Sequence, residues 1–237
     1  MISKRGFTLL ESLLSLTLFC FIFMGGLAFL GPAKAYFHIL KDEYETCETL
    51  YTAVDKIKLD LEQAGEGLYM PLAFGLVPGI VAAEDSLQIE SGELTLGLST
   101  DLQPGQTRIP LFSTTGLKQG RQICIFNTSG GESATIASID SNSILLTQPL
   151  QGGYLAGDSW LILVRTVQIF LDKDGNLLRR KVNTSSAQPL LEDTVLFFYE
   201  YDTTLHRIRI DISTKSNERN KHAFSMRPKN VVLANLR

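Results

Sequence analysis

The chain has 237 residues, enough for one domain with extra length or two small ones. Hydrophobic residues at 44% and charged residues at 20% exclude wholesale disorder, and 19 Gly and 8 Pro without a three-residue period exclude a collagen-like rod. Three Cys exclude a disulfide-dense scaffold, and a net charge of −3 argues against a generally basic nucleic-acid coat.

The first 34 residues differ from the rest. Lys4 and Arg5 open the chain, Glu11 is the one charge between Gly6 and Ala33, and Ser12 to Ala33 is 22 uncharged residues. As a helix those 22 residues span roughly 33 Å, close to the hydrocarbon thickness of a bilayer. Leu, Phe and Ile occupy every face of that helix, the pattern of a segment surrounded by lipid or deep core. Lys4 and Arg5 precede it, so the positive-inside rule expects a cytoplasmic N-terminus and an extracytoplasmic remainder.

Three readings compete for this segment. A secretory signal is favoured by the small-x-small trio Ala33-Lys34-Ala35, but its apolar core runs about 7–15 residues, shorter than this one. A lipoprotein signal needs a small residue before its Cys, and Phe19 precedes Cys20. A plain anchor accounts for the length but gives Glu11 no task beyond reaching back to the headgroups. A carboxylate in a membrane segment costs about 2.5–3.5 kcal/mol at the helix centre and less near an end.

The residues around Glu11 are specific. Lys4-Arg5-Gly6-Phe7-Thr8-Leu9-Leu10-Glu11, set before an unbroken apolar run, resembles the class III signal of type IV prepilins. The resemblance implies an inner-membrane precursor. A prepilin peptidase/methyltransferase would cut between Gly6 and Phe7 and methylate the new amine of Phe7. It also implies that Glu11 neutralises the amine of a neighbouring subunit during assembly, so that two charges costly in lipid offset one another. The expected organisation is a leader over residues 1–6, a transmembrane helix over 7–33, an amphipathic continuation over 34–64 and an extracytoplasmic β-rich domain over 65–237.

Past the membrane segment, Leu40, Tyr44, Cys47, Tyr51, Val54, Ile57 and Leu61 recur at three- and four-residue steps, which predicts a one-faced helix. Lys41–Glu45, Lys56–Asp60 and Lys58–Glu62 read as i,i+4 pairs on or beside its wet side. Gly25-Gly26 and Gly31-Pro32 are points where it can bend, and Gly65 and Gly67 end it.

From about Phe74 the texture becomes β-like. Expected strands are Ser86–Glu90, Glu93–Leu98, Arg108–Phe112, Gln122–Asn127, Ala134–Ile139, Ile144–Thr147, Trp160–Leu171, Leu177–Val182, Val195–Tyr201, Leu205–Ile212 and Ala223–Ala234. Asp172-Lys173-Asp174-Gly175-Asn176 reads as a hairpin turn. These elements give an α+β class, a long N-terminal helix packed on an antiparallel sheet, with residues 104–160 as a candidate insertion, and the prepilin resemblance implies that the arrangement is pilin-like. Asp60–Gly65, Asp174–Arg179 and Gln188-Pro189-Leu190 ahead of Val195 resemble in order and spacing the larger minor pilins and minor pseudopilins, the PilW and GspJ type.

Enzymatic and metal signatures are missing. The sequence holds no phosphate-binding glycine loop, nucleophile elbow or H-E-x-x-H motif, and His38, His206 and His222 have no partner at metal spacing. Asp172 opens a stretch like a calcium loop, but Leu177 and Asn183 stand where Gly and Glu are needed. No cofactor and no metal are expected. Cys47 and Cys124 are either one disulfide or two buried thiols. The basic residues of Leu205–Arg237 fit strand alternation, and an acidic partner such as a neighbouring subunit or DNA is the functional alternative. The expected role is a minor pilin or pseudopilin subunit of a type IV pilus or type II secretion filament, a substrate of an enzyme rather than an enzyme. The rival is a membrane-anchored extracytoplasmic binding or adhesion module.

Overall fold

A computed structural model describes residues 8–215 and 221–234. Gly6 and Phe7 lie outside the described residues. The chain divides into two units, Met1–Leu50 and Tyr51–Arg237.

The first unit is helical. Helix α1, Leu9–Glu62, starts in it and runs on into the second unit. Neither Gly25-Gly26 nor Gly31-Pro32 interrupts it, although Pro32 removes one backbone donor. From Leu9 to Leu40 the large apolar side chains are 45–85% exposed, so this stretch has no core of its own. It is long and apolar enough to cross a membrane.

In the second unit α1 buries Ala53, Val54, Ile57 and Leu61 on one face, and Ala64 continues the line. The expected stripe is thus buried from Val54 onward, while before it Cys47 is half-buried and the other members are exposed. Leu40, Tyr44 and Tyr51 are 45%, 69% and 57% exposed. Periodicity finds the apolar face of a helix but not how far along it a partner extends. The helix ends in a tight turn, with Gly65 and Gly67 at φ 73° and 70°. The Gly65 N–H donates to Glu90 O (2.7 Å) and the Gly92 N–H to Glu66 O (2.6 Å), so the turn lies directly on a strand. A Cβ at Gly92 would sit 3.2 Å from Glu66 O, which is why that position carries no side chain.

Twelve strands follow among the described residues: β1 Ile80–Ala82, β2 Leu87–Gly97, β3 Arg108–Pro110, β4 Gln122–Asn127, β5 Gly130–Ile139, β6 Ser143–Leu146, β7 Trp160–Asp172, β8 Leu177–Val182, β9 Gln188–Leu191, β10 Thr194–Asp202, β11 Arg207–Thr214 and β12 His222–Met226. Two short helices, α2 Tyr69–Ala73 and α3 Lys229–Ala234, complete the described elements. Their strand pairings are antiparallel throughout, as expected.

The nine-stranded sheet is ordered β1-β2-β7-β4-β5-β6-β3, with β8 also on β7 and β9 on β8. β7 is its axis. β2 pairs along its length on one side, while β4 and β8 share the other. Side chains fill the gap between β4 and β8. Arg121 Nη2 donates to Val164 O (2.9 Å), and Thr166 N donates to Asn183 Oδ1 (2.8 Å).

Leu161–Val164 of β7 are buried on both faces. Leu161 and Leu163 join Leu98, Ile109, Ile123 and Ile144 in one cluster, and Ile162 and Val164 join Leu68, Leu72, Cys124 and Ala234 in another. The candidate insertion 104–160 is therefore part of the main sheet, because β4 pairs with β7 and the first cluster is shared.

β10, β11 and β12 form a second sheet. Two expected strands, Ser86–Glu90 and Glu93–Leu98, are one strand, β2, with a register shift between Gly92 and Leu94. The expected strand Ala223–Ala234 is β12 followed by α3. Pro228 separates the two, and its carbonyl accepts the Val232 N–H of the helix.

Candidate functional site at the helix N-terminus

The first turn of α1 is built by Thr8 and Glu11. The Thr8 N–H donates to Glu11 Oε2 (3.0 Å), the Thr8 hydroxyl donates to the same oxygen (3.0 Å), and the Glu11 N–H donates to Thr8 Oγ1 (3.3 Å). This is a capping box, which satisfies helix-end donors reciprocally. The T-x-x-E spacing ahead of an apolar run is the sequence signature of such a box, so the residues alone signal this contact. It draws the Glu11 carboxylate back over the N-terminal end of the helix. Negative charge there also complements the helix dipole. Glu11 thus has a partner inside its own chain, independent of any subunit-to-subunit role.

A further cluster carries no local sequence signal. Asp60, 2% exposed, is held by Arg180 through Nε–Oδ2 at 2.6 Å and Nη2–Oδ1 at 2.7 Å. Arg165 adds Nη2–Oδ1 at 3.5 Å and donates from Nη1 to Gln63 Oε1 at 2.8 Å. The hydrogen bond to Asp60 raises the Arg180 pKa further. These residues clamp the end of α1 to β7 and β8. The expected Lys56–Asp60 pair is replaced by this cluster, and Lys58 pairs with Asp55 (3.8 Å) instead of Glu62. Lys41–Glu45 forms as expected, at 3.5 Å.

Cys20, Cys47 and Cys124 are free thiols, so the Cys47–Cys124 bridge is not formed in this structure. Burial, with the nearby charge of Glu90, pushes the Cys124 thiol up to about 12. No group of His, Cys, Asp and Glu suited to a metal ion occurs among the described residues. Asp172 serves its turn, accepting from Arg179 Nε at 2.8 Å, and that bond holds its carboxyl below the usual range. On the second sheet Arg209 binds Asp211 (3.1 Å) and Arg207 binds Ser225 (2.8 Å). The guanidinium groups of this basic strand are engaged within their own sheet.

Neither the family models nor the curated proteins compared with the chain give a match. Among solved structures it is similar to the gp54 tailspike of Acinetobacter baumannii bacteriophage AP22, with TM-score 0.28 and 14% identity over 32% of this chain and 15% of the tailspike. It is also similar to the tailspike gp49 from Pseudomonas phage LKA1, with TM-score 0.27 and 18% identity over 30% and 14% of the two chains. The phage phi92 endosialidase gives TM-score 0.21 and 10% identity over 62% and 35%. The chain spans a small part of these proteins, and similarity at this level carries no functional argument.

Proposed function

We propose that this chain is a pilin-like subunit precursor, a minor pilin or minor pseudopilin of a type IV pilus or type II secretion filament. In this reading it is inserted with its N-terminus cytoplasmic, cut after Gly6, methylated at Phe7 and assembled by helix packing. Its sheet domain is extracytoplasmic and contacts other subunits.

One observation carries the reading. A single helix begins with a capped carboxylate, Glu11, presents an exposed apolar half long enough to cross a bilayer, and ends clamped to an antiparallel sheet domain by Asp60. A plain anchor requires the apolar half but neither the acid at its start nor the clamp at its end. Glu11 follows Phe7 by four residues in the sequence, so the capped carboxylate belongs to the same N-terminal segment as the proposed new amine. Its role toward a neighbouring amine adds to its capping role.

The test is incorporation. Wild-type chain is expected in the sheared filament fraction or in a complex with other minor subunits. Glu11→Ala is expected to insert into the membrane normally but drop out of that fraction at least tenfold. Equal incorporation of the two contradicts the charge-partner role. Absence of the wild type from any such assembly favours the anchored binding module.

A further inference from the structure

The apolar surface of α1 extends beyond one bilayer crossing. Ser12–Ala33 already covers roughly 33 Å, against about 30 Å of hydrocarbon. Yet Tyr36, Phe37, Ile39 and Leu40 follow, exposed by 64%, 63%, 56% and 45%. Lys34 and Lys41 bracket them, and Asp42, Glu43, Glu45 and Glu48 begin abruptly afterwards.

The helical positions sort these residues. At about 100° per residue, Ile39, Tyr36, Leu40 and Phe37 fill one sector of roughly 160°. Lys41, Lys34 and His38 fall together within about 60° on the other side. An apolar sector with aromatic rings, opposed by a basic one, is the pattern of a helix lying at a membrane surface.

We propose that Lys34–Lys41 is a second membrane contact, seated in the anionic headgroup layer beside the spanning segment. The proposal rests on the membrane-spanning reading of Ser12–Ala33. Tyr and Phe partition to the interface, and lysine stems lie along apolar surface while their ammonium groups meet lipid phosphates. Eight upright residues rise about 12 Å, more than the roughly 5–7 Å that the headgroup region adds on each side. Seating all eight residues requires the uninterrupted helix to lean on the membrane, and Gly31-Pro32 is its weak point, because Pro32 supplies no N–H to the carbonyl of Ala28. The acidic run from Asp42 is repelled by an anionic surface and marks where the contact ends.

The test uses full-length chain in vesicles of phosphatidylethanolamine and phosphatidylglycerol. The single tryptophan, Trp160, is replaced by Trp160→Phe, and one reporter is introduced as Phe21→Trp, Phe37→Trp or Tyr51→Trp. Lipids brominated deep in the acyl chain are expected to quench the Phe21→Trp reporter. Shallowly brominated lipids are expected to quench the Phe37→Trp reporter, and neither lipid the Tyr51→Trp reporter. Exchanging phosphatidylglycerol for phosphatidylcholine is expected to reduce quenching at position 37 at least twofold, with position 21 unchanged. The proposal is overturned if position 37 behaves like position 51 while position 21 is quenched from deep lipid. It is equally overturned if position 37 is shielded from both lipid and acrylamide, the result for a face covered by another protein copy. If position 21 is not quenched, the spanning reading fails and this inference falls with it.

Discussion

At the residue scale, Asp60 and Glu90 show two outcomes for a carboxyl taken from water. Asp60 is compensated by two guanidinium groups. Breaking a buried pair leaves an uncompensated charge, so Asp60→Ala is expected to lose about 3–5 kcal/mol in denaturant unfolding, with Asp60→Ala/Arg180→Met losing less than the sum of the single changes. Glu90 is 3% exposed, and its Oε2 has no hydrogen-bond partner among the described residues. Burial raises its pKa, against the Gln88 and Gly79 hydrogen bonds that lower it. Below the ordinary carboxylate value both folded and unfolded chains hold the proton, and stability is full. As pH rises toward the raised native value, the unfolded chain releases its proton first and stability falls. Glu90→Gln is therefore expected to unfold about 2–4 °C higher at pH 8 for each ~1 kcal/mol gained, with the difference vanishing near pH 4. Native-state alkylation is expected to spare Cys124, whose thiol is buried and pushed up to about 12, and to reach the half-buried Cys47 before it. Sequence reading places Asp60 on or beside the wet side, paired by helical spacing with Lys56, whereas Arg165 and Arg180 are more than one hundred residues away. Local spacing does not register such pairs.

At the element scale, the legible parts were those fixed by local chemistry. β4 and β8 have the expected limits, because turn residues lie on both sides of β8, and β4 is a short apolar run that ends at a turn. The turn after β7 forms as read, with Asn176 at φ 48°. β1 and β9 were not anticipated, since three- and four-residue edge strands acquire their conformation from the neighbour they pair with. The break in the last expected strand was available at Pro228, which cannot continue a ladder. The Thr8–Glu11 box makes a prediction at this scale. Thr8→Ala is expected to cost about 0.5–2 kcal/mol of first-turn stability, read in detergent micelles as faster amide exchange at Leu9–Glu11 with exchange beyond Leu14 unchanged.

For the whole molecule, the α+β class, the antiparallel sheet and the long apolar helix were legible from charge distribution and periodicity. The division into a nine-stranded and a three-stranded sheet was not, because alternation shows that a strand has a buried face but not which sheet it joins. The same limit hid the extent of helix burial, since one stripe runs through exposed Tyr44 and buried Ile57 alike. The central proposal is that Glu11 meets an amine released at Phe7 of a neighbouring subunit. Mass spectrometry of the N-terminal peptide from membrane-extracted protein addresses it most directly. A mature chain starting at N-methylated Phe7 is the predicted result, and an intact Met1 or a start at Tyr36 contradicts the claim.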